Sequence, residues 1–281
     1  MILAIASGKG GTGKTTVAVN LALSADGPVR LLDCDVEEPN CHLFLAPEIA
    51  HRETVRVAVP VVNAAKCDGC GRCAAFCRFN ALAALKETVL VFPELCHGCG
   101  GCMLVCPKGA IREGSREIGV LETGRAGDLA FAQGRLRVGE AMAPPLIRAV
   151  KKRAAPGMLN IIDAPPGTSC PVIAAIRDAD YVVLVTEPTP FGLHDLTLAV
   201  ETVRRIGLPF GVVINRSDSG DDRVRTYCAA ESVQVLAEIP EDRRIAEAYS
   251  RGVPAVRALP ELRATFHTLL RTICAAKELS R

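Results

Sequence analysis

The sequence has 281 residues, long enough for one large domain or two ordinary ones. Its 49% hydrophobic and 23% charged residues make a packed core feasible and argue against wholesale disorder. A balance of 33 basic and 31 acidic residues leaves a formal net charge of +2, which speaks against a protein that grips nucleic-acid phosphates; 4% aromatics and no Trp leave few platforms for stacking bases. No apolar run approaches the roughly 18 residues of a membrane span, and the N-terminus has neither the charged segment nor the cleavage site of an export signal; a cytoplasmic protein is expected.

Ile2–Ala6 is an apolar run of the length of a buried parallel strand. It opens into Gly8-Lys9-Gly10-Gly11-Thr12-Gly13-Lys14-Thr15, which fits the phosphate-loop pattern G-x4-G-K-S/T, and helical spacing follows through Val17, Leu21 and Leu23. Strand, loop and helix are the context this motif requires. Glycines let backbone N–H groups turn onto phosphate oxygens, and the helix N-terminus adds a favourable dipole. Lys14 is expected to reach the β- and γ-phosphates of ATP, or the β-phosphate of ADP, and the Thr15 hydroxyl to bind Mg²⁺. Gly8, Gly10, Gly11, Thr12, Gly13 and Thr16 complete the expected nucleotide site. A glycine-rich turn without nucleotide is the bland alternative. Val29–Asp33 reads as a second strand ending in Leu32-Asp33-Cys34-Asp35.

Thirteen cysteines in a chain expected in a reducing compartment do not suggest a disulfide framework. Eight of them form two runs, Cys67, Cys70, Cys73, Cys77 and Cys96, Cys99, Cys102, Cys106, each spaced C-x2-C-x2-C-x3-C and offset by 29 at every position. Gly69 matches Gly98, Gly71 matches Gly100 and Ala81 matches Ala110, so the segment is an internal duplication. This spacing is similar to that of bacterial ferredoxins holding two 4Fe-4S clusters, where the fourth cysteine of each run serves the other cluster. That assigns Cys67, Cys70, Cys73 and Cys106 to one cluster and Cys96, Cys99, Cys102 and Cys77 to the other. Two four-thiolate zinc sites are the alternative, although zinc ribbons pair their C-x2-C knuckles across a longer gap. One departure stands out: Pro107 follows Cys106 as in ferredoxins, but Arg78 follows Cys77. His97, inside the second run, reads as a bystander.

Residues 117–139 read as short hairpin strands, and Leu146–Arg153 as a helix entered through Pro144-Pro145. Met158–Asp163, Tyr181–Thr186 and Phe210–Ile214 are apolar strands alternating with amphipathic stretches. The expected fold is therefore α/β, a doubly wound, mostly parallel sheet with a small inserted α+β, ferredoxin-like domain. The ATPase domain is expected over residues 1–59 and 114–281, and the insert over 60–113. Leu262, Phe266, Leu269, Leu270 and Ile273 have helical spacing, read as a closing helix packed on the sheet rather than a membrane anchor. Cys228 and Cys274 read as small packing residues; Cys170 reads as a small buried residue next to Pro171, the alternative being a thiol that meets its twin near a dimer axis.

Gly8-Lys9-Gly10-Gly11, with a lysine ahead of the usual one, resembles the deviant phosphate loop of the MinD/ParA/Mrp and nitrogenase-iron-protein superfamily. The whole chain resembles the MinD-type subgroup with a ferredoxin domain inserted after the first switch. The resemblance implies that Lys9 reaches the partner's nucleotide across an ATP-bound homodimer. It also implies that Asp35 orients the attacking water, and that Asp163, in Asp163-Ala164-Pro165-Pro166-Gly167, holds Mg²⁺ through water while Gly167 lies on the γ-phosphate side. Asn215 resembles the adenine-binding asparagine, and Pro240 and Glu241 belong to a loop flanking the base. The implied function is an ATPase that couples dimerisation to electron transfer through the clusters for an unidentified redox or metallocluster partner. A cluster carrier or scaffold is the alternative, and a ParA-like positioning protein a third reading. No C-x2-C pair lies near the C-terminus, unlike Mrp-type scaffolds.

Overall fold

The computed structural model describes residues 1–279. β1 (Ile2–Ala6), α1 (Lys14–Ser24), β2 (Val29–Asp33), α2 (Cys41–Leu45) and β3 (Glu48–Val62) lead into the cysteine-rich region. That region holds α3 (Arg72–Phe76), β4 (Leu82–Ala84), β5 (Val89–Val91) and α4 (Gly101–Leu104). β6 (Ile111–Ala126) and β7 (Leu129–Leu136) follow, then α5 (Ala143–Lys151), β8 (Leu159–Asp163), α6 (Cys170–Ile176), β9 (Tyr181–Thr186) and α7 (Pro190–Ile206). The chain closes with β10 (Phe210–Asn215), α8 (Arg223–Ala230), β11 (Val235–Ile239), α9 (Arg243–Ser250), α10 (Ala255–Ala258) and α11 (Leu262–Leu279). Among the described residues no helix is long and apolar enough to cross a membrane.

Two compact units emerge. The first comprises Met1–Arg52, Leu121–Arg135 and the chain from Ile147 onward. Its sheet runs β11-β10-β9-β1-β8-β2-β7, continued by β6 and β3, and the pairs from β11 through β7 are parallel. Strands buried on both faces explain the apolar runs Ile2–Ala6 and Tyr181–Thr186. The register sets Ile5 and Asp33 on either side of Asp163, so β1, β2 and β8 end together. Ligand crevices of open α/β sheets form at such carboxyl ends. Phe266, Leu269, Leu270 and Ile273 of α11 lie in this unit's core, so the apolar stripe of that helix is used in packing. α7 shows how local sequence sets its limits: the Thr189 hydroxyl accepts the Gly192 N–H, Pro190 occupies the first turn, and Gly207 ends the helix at φ 78°.

The second unit comprises Glu53–Val120 and Leu136–Leu146. It reaches past the expected limits of 60 and 113 because strand pairing outlasts the cysteine segment. Gly114 fits against Val61 and Gly124 against Glu48, where a Cβ would collide, so β3 and β6 run in opposite directions as long strands rather than short hairpins. Residues 136–146 join this unit through the Arg137 N–H to the Ile118 carbonyl and the Arg116–Glu140 ion pair. α5 begins at Ala143, earlier than Leu146, because Pro144 and Pro145 fit a first turn where no N–H partner is needed. The duplication is visible in the backbone. Gly71 and Gly100 both open a short helix at φ 73°, and Asn80 matches Gly109 at φ 52° and 57°. Cys73, Leu82, Val89, Cys102 and Ile111 form the unit's apolar centre.

Candidate nucleotide and thiol sites

A cavity of about 960 Å³ opens at the carboxyl ends of the strands of the first unit. Gly10, Gly11, Gly13, Lys14, Thr15 and Thr16 line it from the phosphate loop; Asp35, Asn215, Pro240 and Glu241 line it from three other strand ends. The sequence-predicted residues thus converge, with Gly8, Lys9, Thr12, Asp163 and Gly167 lying off the wall. Gly8 is pressed against the Asp195 backbone, where a Cβ would collide. Thr12 is buried, and its carbonyl accepts the Asn215 side-chain N–H at 2.9 Å. Lys9 pairs with Glu187 at 3.7 Å, and the same carboxylate holds Arg216 at 2.8 Å. Gly167 donates its N–H to the Ser7 carbonyl at 3.0 Å.

Beneath the loop lies a buried acidic centre. Asp163 is fully buried; its Oδ2 accepts the Thr15 hydroxyl at 2.6 Å and the Cys41 thiol at 3.4 Å, while its Oδ1 has no hydrogen-bond partner. Asp33, also fully buried, accepts three backbone N–H groups of the following loop, from Asp35, Asn40 and Cys41. Donor atoms of Asp33, Cys41 and Asp163 lie within 4.8 Å of one another. Burial, reinforced by the Asp163 carboxylate, pushes Asp33 up to about 8. Burial likewise raises Asp35, to about 6, against the pull of the Lys14 ammonium. Asp163 is raised by burial, opposed by Lys14 and Thr15. A hydroxyl and a carboxylate with an orphaned buried oxygen form a hard oxygen donor set, which fits Mg²⁺. Sequence reasoning passed over Asp33 and Cys41; the pairing of β2 with β8 is what brings them to Asp163.

The eight clustered cysteines sort into two cavities of the second unit. One is lined by Cys67, Cys70, Cys73 and Cys106, the other by Cys77, Cys96, Cys99 and Cys102. Each gathers three thiols from one run and the fourth from the other. Backbone N–H groups already point at sulfur: Ala81 to Cys77 at 3.4 Å, Ala110 to Cys106 at 3.3 Å, Gly98 to Cys96 at 3.4 Å. The Ala110 N–H holds the Cys106 thiol below its usual range, and burial raises Cys73 and Cys102. Four cysteines lining each cavity are thiol donors of the kind that an iron–sulfur cluster or zinc takes. Among the remaining cysteines Cys228 is buried as expected. Cys170 and Cys274 are exposed instead, since each sits on the outer side of its helix.

Comparison with known proteins places this geometry. The CobQ/CobB/MinD/ParA nucleotide binding domain matches residues 3–255. An uncharacterized protein of Methanocaldococcus jannaschii is 30% identical over 263 residues, covering 90% of both chains. An iron-sulfur cluster carrier protein of Deinococcus radiodurans is 28% identical over 292 residues, covering 95% of this chain and 68% of the relative. The septum site-determining protein MinD of Pyrococcus horikoshii, complexed with Mg-ADP, superposes with a TM-score of 0.57 at 21% identity, over 95% of this chain and 93% of that one. At that identity the likeness is one of fold, an α/β phosphate-loop nucleotide-binding fold with a mostly parallel sheet. The chain therefore belongs to the CobQ/CobB/MinD/ParA nucleotide-binding domain family.

Proposed function

We propose that this protein is an ATP-hydrolysing iron–sulfur protein in which nucleotide-driven dimerisation is coupled to electron transfer through two 4Fe-4S clusters. The observation that carries the reading is the sorting of eight cysteines into two crossed sets of four, in a chain that also has a phosphate-loop cavity. Cys67, Cys70, Cys73 and Cys106 would hold one cluster, and Cys96, Cys99, Cys102 and Cys77 the other; the clusters supply one-electron carriage. Thr15 and Asp163 would hold Mg²⁺, which neutralises phosphate charge. Lys14 and the loop N–H groups bind the phosphates, and Asn215, Pro240 and Glu241 flank the base. Asp35, half-buried on the cavity wall, is positioned to orient a water and accept its proton. Lys9 is the residue that reaches the second copy. A redox or metallocluster protein is the partner, and the cytoplasm the site of action.

A second reading, cluster carriage, is favoured by the name of the Deinococcus radiodurans relative. Backbone N–H groups already aimed at sulfur favour resident clusters instead. The test is an anaerobic preparation assayed for iron and challenged with an apo-acceptor protein. About eight irons per chain, retained in the presence of the acceptor and of a chelator, support resident electron carriers. Stoichiometric loss of iron to the acceptor would move the assignment to carriage, and zinc without iron would overturn both.

A further inference from the structure

Among the positions where the duplicated thiol loops have diverged, two pairs of equivalent residues sit at the cavities. Asp68 and His97 each follow the first cysteine of their run, and Phe79 and Lys108 each lie two residues past the last. Across the cavity of Cys67, Cys70, Cys73 and Cys106, Asp68 meets Lys108 in an ion pair of 3.9 Å. Across the cavity of Cys77, Cys96, Cys99 and Cys102, His97 stacks on Phe79 with ring centroids 3.7 Å apart and planes at 12°. The same two positions therefore cap one cavity with charges and the other with rings.

Reduction adds one negative charge to a cluster, and the surroundings decide what that charge costs. The ionic cap is wet: its side chains are 57% and 45% exposed, and the ammonium and its water can solvate the added charge. The ring pair capping the other cavity contains no lysine or arginine, and two of that cavity's four cysteines, Cys96 and Cys102, are buried, against Cys73 alone in the first. Phe76, Leu82 and Met103 stand around the ring stack, and the Glu113 carboxylate lies on its wall. Burial among apolar walls penalises the reduced form, and solvent exposure is among the factors that set cluster potential.

We propose that this divergence sets the two clusters at different potentials, the ring-capped one lower, so that the first electron taken up resides on the cluster of Cys67, Cys70, Cys73 and Cys106. The inference rests on the two-cluster reading above. It adds a role for Phe79, His97, Asp68 and Lys108, which tune and do not ligate.

The experiment is a potentiometric titration of the full-length, anaerobically purified protein with dithionite and mediators, read by EPR after iron has been counted. The wild type should show two one-electron steps separated by at least a tenfold difference in equilibrium constant, about 59 mV. Replacing the ring cap by the ionic one, Phe79→Lys with His97→Asp, should raise the lower step and leave the upper in place. The reciprocal exchange, Asp68→His with Lys108→Phe, should lower the upper step. Phe79→Ala alone, which opens the cap to water, must move the lower step upward and guards against an exchange variant that fails to assemble. A single shared potential in the wild type, or steps that ignore Phe79→Ala, overturns the proposal. A wild-type protein without about eight irons overturns instead the reading on which it rests.

Discussion

Gly13 is the residue where the phosphate loop and the base-side strand constrain each other. Its φ is 92°, and a Cβ there would lie 2.4 Å from Asn215 Nδ2. Gly13→Ala therefore has two separable costs. Holding an L-residue in the left-handed region costs about 1–2 kcal/mol. Pushing the Asn215 amide away breaks its 2.9 Å bond to the Thr12 carbonyl, a loss of about 0.5–1.5 kcal/mol. The single variant should lose about 2–3 kcal/mol on those two counts. In an Asn215→Ala background the collision is gone and only backbone strain remains, so the cost of Gly13→Ala should fall by about 1 kcal/mol. The assay is urea unfolding of the four nucleotide-free proteins, compared at equal m-values. Costs that add to within about 0.3 kcal/mol would show that the two residues do not touch energetically and refute the reasoning.

The nucleotide site makes further predictions. Lys14→Ala should abolish binding of a fluorescent ATP analogue, because it removes the buried cation of the cavity wall. Lys9→Ala should keep binding but lose hydrolysis and ATP-dependent dimerisation, measured by light scattering; hydrolysis at the wild-type rate would remove Lys9 from the partner-facing role. Glu187→Gln, which releases Lys9, should shift the dimerisation midpoint to lower ATP concentration; an unchanged midpoint would mean the ion pair does not restrain the lysine. Cys77→Ser should damage the cluster of Cys96, Cys99 and Cys102 while leaving the other intact, and spectra showing the opposite would refute the crossed assignment.

The sequence is informative where chemistry demands a fixed local pattern. The phosphate loop, the five apolar strands and the two cysteine runs all have periods or spacings set by short-range geometry, and each occupies the place its pattern implies. Long-range pairing is what the sequence hides. Nothing local in Asp33 or Cys41 indicates that β2 lies beside β8 and sets them against Asp163. The extent of the second unit depends on the same kind of pairing: Gly124 reads as a hairpin residue, yet it and Gly114 let β3 and β6 approach closely. Nothing local in the Glu187 stretch indicates its ion pairs, whose partners are 178 and 29 residues away in sequence. Cys170 and Cys274 show the limit of composition, since cysteine's general preference for burial does not decide which side of a helix it occupies.

The groups assigned to nucleotide are not equally free to receive it. Among the described residues the Lys9 ammonium is held by one half-open ion pair, 32% exposed on the lysine side, and such pairs contribute about 0–1 kcal/mol. A phosphate can therefore draw Lys9 away at little cost. Asn215 gives up one neutral hydrogen bond to the loop. The Thr15–Asp163 bond is different, because it is fully buried beside an Asp163 oxygen that already lacks a partner. Breaking it without replacement would leave Oδ1 bare and Oδ2 with the Cys41 thiol alone, and an unmet buried polar group costs about 1–3 kcal/mol. Only a cation arriving between Thr15 and Asp163 removes that penalty, and a cation there needs phosphate oxygens to complete its shell. The energetics thus favour entry of Mg²⁺ and nucleotide together, and they leave Lys9 loosely held, as its proposed engagement of a second copy requires.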